Sequence, residues 1–243
     1  MVEILNLSKS YNKKKAINII ELTIDTGNIC GFVGNNGAGK TTLFRLILDL
    51  IKADNGTVLS NEWNVAKSEK WKDYTGSYLD EGFLMDFLTP EEFFYFIGNL
   101  YNFSNSIIDE KLSKFKYFLN GEILGQKRKF IRDFSKGHKQ KIGIVSALLI
   151  DPRVLILDEP FNSLDPTSQI VLKRMLIDYN TKARATILIS SHDLNHVTEI
   201  CHQIVLLENG HVIRNIQNND KALKELNEYF SLEKLFTSEI NIQ

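Results

Sequence analysis

The segment "NICGFVGNNGAGKTTLFRLILDLI", residues 28–51, most constrains what this chain can fold into. A short apolar run suited to a buried strand leads directly into a glycine-rich turn. Apolar residues at helical spacing follow. The turn, "GNNGAGKTT", matches G-x-x-x-x-G-K-[ST], and its place after a strand and at the opening of a helix is the context that gives the pattern meaning. Average composition makes a chance match in a chain this long an event of about one in a hundred. Gly34, Gly37 and Gly39 allow a tight turn whose N–H groups converge on phosphate oxygens. Asn35, Asn36, Ala38 and Thr42 complete that cradle, Lys40 reaches the β- and γ-phosphates, and the Thr41 hydroxyl suits Mg²⁺. The segment is therefore read as a nucleotide site.

The rest of the chain alternates in the same manner. "VEILNL" and "INIIELTI" have strand periodicity. After residue 135 the order is helix, strand "RVLILD", helix "PTSQIVLKRMLIDY", strand "ATILIS", helix "LNHVTEICH" and strand "QIVLLENGHVI". That alternation predicts an α/β fold with a mostly parallel sheet. Residues 90–134 differ, being helical, rich in Phe and Tyr, and then basic. Most aromatics of "FLMDFLTPEEFFYFIGNLYNF", residues 83–103, are expected in a core.

Two further sites follow the glycine turn. "VLILDEP" ends an apolar strand in Asp158 and Glu159, carboxylates that need a partner if buried. Beside a phosphate cradle, Asp158 would serve the magnesium shell and Glu159 would orient or deprotonate the attacking water. In "ATILISSHDLNHV", His192 stands between strand and helix, where it can face a γ-phosphate or simply cap.

Glycine loop, acidic pair and strand-terminal histidine, in this order, resemble an ABC-type ATPase domain across nearly the whole chain. The resemblance implies ATP and Mg²⁺ as ligands and a P-loop core with an antiparallel β subdomain and a helical insertion. The core is expected at about 1–79 and 135–215, the helical subdomain at about 80–134 and a helical tail at about 216–243. It also assigns "FSKGHKQK", residues 134–141, which by itself reads equally as a basic patch or a solvated helix face. Ser135 and Gly137 fall on the family's signature serine and second glycine, at a helix start that faces ATP bound by a second ATPase subunit, here expected to be another copy. Asp165 matches the aspartate of the loop along that seam, and Tyr11 the aromatic that stacks on adenine.

Departures are plain. Phe134, Lys136 and His138 replace the signature's leucine, first glycine and glutamine, in an S-K-G form similar to antibiotic- and drug-efflux members. Asp80 stands where the family has a glutamine that meets the metal or its water. Phe161 replaces the threonine after "DEP". The resemblance further implies a separately encoded transmembrane permease, docking on the aromatic helical subdomain, and export as the direction.

Composition limits the alternatives. A net charge of -1 gives no general attraction to nucleic acid, although "QKRKFIRDFSKGHKQK" holds seven Lys or Arg and one Asp. Two cysteines without C-x-x-C spacing suggest neither a metal site nor a disulfide framework. With no apolar run near about 18 residues and no leader-like start, the chain is expected in the cytoplasm, peripheral to the membrane through its permease. A soluble ATPase acting on ribosomes or DNA is the alternative; those usually have tandem domains or a coiled-coil insertion, which these 243 residues lack. A regulatory module that does not hydrolyse is disfavoured by Glu159 and His192.

Overall fold

The computed structural model describes residues 1–119, 121–126, 128–219 and 221–230. The amino-terminal half runs β1 (Val2–Tyr11), β2 (Lys14–Ile24), β3 (Ile29–Val33), α1 (Lys40–Ile47), β4 (Asn55–Ser60), β5 (Trp63–Asn64) and β6 (Thr75–Tyr78). Three helices follow, α2 (Pro90–Leu100), α3 (Asn105–Lys114) and α4 (Lys116–Leu119). The remainder is α5 (Lys136–Leu149), β7 (Val154–Leu157), α6 (Pro166–Ala183), β8 (Thr186–Ser191), α7 (Leu194–Ile200), β9 (Gln203–Glu208) and β10 (His211–Gln217). Residues 222–230 are helical; the rest of the expected tail, 231–243, lies outside the described residues.

The strands make two sheets. One is antiparallel, in the order β2-β1-β4-β5; the other has six strands in the order β10-β9-β3-β8-β7-β6. In the second, β9, β3, β8, β7 and β6 are mutually parallel and β10 runs antiparallel at the edge. "QIVLLENGHVI", expected as a single strand, is instead part of a hairpin. It turns at Asn209 and Gly210, whose φ values of 46° and 79° are those of a tight two-residue turn.

Strand pleating divides the interior in two. Phe32, Ile156, Leu188 and Val205 face one core, shared with α1 and the antiparallel sheet. Val33, Leu157, Ile189 and Leu206, one residue along the same strands, face the other, shared with the helices. A parallel sheet covered on both faces explains the near-continuous apolar runs. Of the aromatics in the helical segment, Phe93 and Phe94 are buried in this second core, whereas Phe83, Phe87 and Phe96 are exposed.

Helix starts follow local chemistry. Thr89 and Glu92 form a reciprocal capping box at α2, with Pro90 in the first turn. Asp165 accepts the Ser168 N–H at 2.9 Å and begins α6, and Ser135 accepts the His138 N–H at 3.3 Å and begins α5.

Candidate active site

The carboxyl ends of β3, β8 and β7, neighbours in the parallel sheet, bring the candidate residues together. Gly39 precedes α1 with φ at 110°, and a Cβ there would stand 2.7 Å from the Ala16 carbonyl oxygen. No side chain caps α1, so its first N–H groups point outward as donors. Residues 36–42, with Ala16 and Glu159, line a cavity of 240 Å³. Gly34 and Asn35 line a neighbouring cavity with His192, and the buried Lys40 ammonium donates to their carbonyls at 2.6 and 3.4 Å.

The acidic pair is built into a chain of hydrogen bonds. Thr41 donates its hydroxyl to Asp158 Oδ2 at 2.5 Å, and Ser190 donates to Asp158 Oδ1. The same Ser190 oxygen accepts the Glu159 backbone N–H at 2.8 Å. Burial pushes the Asp158 carboxyl above the usual carboxylate range; donation from Ser190 and Thr41 works against that rise, and the neighbouring Glu159 charge adds to it. A buried carboxylate beside a hydroxyl, with charge disfavoured by desolvation, is an oxygen donor set suited to a hard dication such as Mg²⁺. No cluster of three His, Cys, Asp or Glu occurs among the described residues, so phosphate and water would complete the shell.

Glu159 sits in the left-handed backbone region with φ at 47°, a conformation that a non-glycine residue holds only where its surroundings impose it. Its N–H is held by Ser190 and its carbonyl accepts from Gln140 Nε2 at 3.2 Å. One carboxylate oxygen is 3.6 Å from Lys40 Nζ and the other 3.0 Å from His192 Nδ1. Glu159 is thus aimed at the cavity mouth between a fixed cation and an exposed imidazole.

Other candidate residues lie apart. Gly137 lies against the loop after β7, where a Cβ would stand 2.5 Å from the Ser163 carbonyl oxygen. Ser135 is exposed beside it. The Asp165 carboxylate is directed to its own helix, and hydrogen bonds from Ser168 hold it below the usual range. Tyr11 is 47% exposed at the end of β1, on the hairpin whose other arm brings Ala16 to the cavity. Asp80 is not joined to Thr41 or Asp158: it accepts the Gly82 N–H at 2.8 Å and lies 3.7 Å from Arg45. Phe161 is buried and stacks on His196 at 4.6 Å. Sequence reasoning missed Ser190 and Gln140. A serine ending a wholly apolar strand was the available signal for the first, since a buried hydroxyl needs a partner.

A phosphate cradle, a hydroxyl–carboxylate pair and a second carboxylate against a histidine define a P-loop nucleoside triphosphatase. Residues 17–162 match the family described as ABC transporter, and the chain belongs to that family. It is 33% identical over 223 residues to the bacitracin transport ATP-binding protein BcrA of Enterococcus faecalis, spanning 89% of this chain and 69% of that one. It is 32% identical over 211 residues to the tungstate uptake system ATP-binding protein TupC of Peptoclostridium acidaminophilum, covering 87% of this chain and 96% of TupC. The solved structure of an ATP-binding subunit of an ABC transporter superposes with a TM-score of 0.82 at 27% identity, covering 98% of each chain.

Proposed function

We propose that this chain is the ATP-hydrolysing subunit of an exporter, working as a pair of copies on the cytoplasmic face of a separately encoded permease. The observation that carries the reading is the Glu159 carboxylate, held between Lys40 and His192 at the mouth of the P-loop cavity. ATP enters with its phosphates against the α1 amino terminus. Lys40 exchanges the Gly34 and Asn35 carbonyls for phosphate oxygens. Glu159 takes a proton from water as that water's oxygen attacks the γ-phosphorus; the bond to the bridging oxygen breaks, giving ADP and phosphate. Thr41 and Asp158 would hold Mg²⁺, which supplies charge neutralisation between the phosphates.

Pairing is supported by the start of α5. Ser135 lies outside the cavity lining of its own chain, so the donors it presents suit a nucleotide carried by a neighbour. Ser135, Gly137, Asp165 and Tyr11 keep their expected roles within this proposal: signature contacts, seam loop and adenine stacking. Asp80 keeps a metal or water role only if it exchanges Arg45 for that shell.

The permease is assigned to a 340 Å³ cleft lined by Leu48, Leu50, Trp71, Leu79, Phe83 and Tyr101, beside Asp80. No helix among the described residues is long and apolar enough to cross a membrane, so passage falls to another subunit. Export rests on the Ser135-Lys136-Gly137 form and the likeness to BcrA. Nucleic acid is left out as a partner because the net charge is -1 and three basic residues of the run are engaged internally. Lys129 lies over Phe134, Lys139 pairs with Glu81, and Lys141 is buried over Phe118.

Glu159→Gln should lower ATP turnover by about 10²–10⁴ while nucleotide still binds, and ATP should then pair the chains in light scattering. Adding Ser135→Arg should abolish pairing without loss of nucleotide. Wild-type turnover in the Glu159→Gln protein would remove Glu159 from the reaction.

A further inference from the structure

At the tip of α5 three side chains form a line, of which the proposed ATP contacts use Ser135 alone. Ser135 Oγ lies 3.0 Å from His138 Nδ1, and His138 Nε2 lies 2.9 Å from a Glu122 carboxylate oxygen. Glu122 belongs to the turn segment between α4 and α5. The Phe134 ring meets the imidazole edge-on at 5.8 Å, and the Lys129 ammonium stands 4.1 Å over that ring. On the same helix, Lys136 is exposed and Lys139 is paired with Glu81 at 3.5 Å. Among the described residues, Glu122 is the anion that touches the imidazole.

Proton counting gives this line two states. A serine hydroxyl has one proton to donate and two lone pairs to offer, and Ser135 Oγ already accepts the His138 backbone N–H. With a neutral imidazole, the Glu122 carboxylate draws the Nε2–H, which leaves a lone pair on Nδ1. The Ser135 hydroxyl proton then points at Nδ1, and an approaching phosphate oxygen, itself an acceptor, meets lone pairs. With an imidazolium, Nδ1–H donates to Ser135 Oγ, and the hydroxyl proton turns outward to the phosphate.

We propose that His138 is a positioning residue that sets the donor direction of Ser135, so that ATP-driven pairing of two chains tightens when His138 takes up a proton. Glu122 orients the ring. No covalent step is involved, and the imidazolium keeps its proton throughout. This inference rests on the reading that Ser135 meets the ATP of a second copy.

The test is the dimer dissociation constant of the full chain in the Glu159→Gln background with Mg²⁺-ATP, measured by sedimentation from pH 6 to pH 8, within the interval where histidine charge changes. With His138 present, pairing should tighten by about a hundredfold more from pH 8 to pH 6 than in His138→Gln, about tenfold for each of the pair's two Ser135 contacts, the size of one charge-assisted hydrogen bond. Ser135→Ala should remove the His138-dependent part, so that the double variant Ser135→Ala/His138→Gln matches Ser135→Ala alone. His192 is present in every protein compared. A His138→Gln profile parallel to that of the parent overturns the inference while leaving pairing intact. Absence of any ATP-driven dimer at any pH overturns the pairing itself, and this inference with it.

Discussion

Ser190 is the residue on which the acidic pair's geometry depends, and Ser190→Ala removes a single oxygen atom from a fully buried position. Two hydrogen bonds are lost, the one donated to the Asp158 carboxylate and the one accepted from the Glu159 N–H. A hydrogen bond to a charged group contributes about 1.5–3 kcal/mol, and an orphaned buried N–H costs about 1 kcal/mol or more. The variant should therefore be less stable by about 2–4 kcal/mol near neutral pH. For a chain of this size that lowers the melting temperature by about 4–15 °C.

The pH dependence has a definite sign. In the fold the Asp158 carboxyl already stands above its unfolded value because of burial, and losing Ser190 raises it further. The penalty for keeping this carboxylate charged is present above the folded pKa and disappears as pH falls through it toward the unfolded value. The stability gap between the two proteins should thus be widest at neutral pH and narrow as the solution is acidified. Turnover should fall by about tenfold or more, since the Glu159 N–H loses the acceptor that holds its backbone. The assays are urea unfolding without nucleotide at several pH values and steady-state ATP hydrolysis. A gap below about 1 kcal/mol at pH 7, or one that does not change with pH, would refute the bridging role.

Further consequences can be checked independently. Lys40→Ala removes the cation in the cradle and should weaken ATP affinity by about 10- to 100-fold, judged from charge-assisted hydrogen bonds; equal affinity in a fluorescent-nucleotide titration would contradict the phosphate role. Phe83→Glu, in the apolar cleft, should cut co-purification with a membrane partner in mild detergent by more than about tenfold while the melting temperature stays unchanged. His196 is lowered by burial, and its Nδ1 has no hydrogen-bond partner among the described residues. Because the native state binds this proton less well than the unfolded chain, stability should drop as pH falls below about 6.5. His196→Phe should remove that drop, and urea midpoints at pH 5 and pH 8 report it.

What could be read from residue order depended on how local the controlling physics is. The strand–glycine turn–helix segment carries its geometry within a few residues, and "RVLILD" and "ATILIS" are apolar enough to be strands in any buried setting. The β9–β10 hairpin was lost because apolar character continues across Asn209-Gly210, although that dipeptide is itself a turn signal. Ser190 at the end of an apolar strand signals a need for a partner but not which one, because its meeting with Asp158 requires β7 and β8 to be neighbours, with Leu157 opposite Ile189 and all of α6 between them in sequence. Asp80 and Arg45 come from separate elements in the same way. That the Asp80 carboxylate would be directed to Arg45 and Gly82 is a fact of packing.

Gln140 gives α5 two addresses. Ahead of it, Ser135 is exposed at the helix tip; at Gln140 the same rod is hydrogen-bonded to the carbonyl of Glu159 in its own chain. In the proposed pair, a tug on that tip by the neighbour's triphosphate would reach the residue proposed to activate water through about one and a half turns of helix. The two reaction centres would then be wired crosswise, and emptying one would slacken the other.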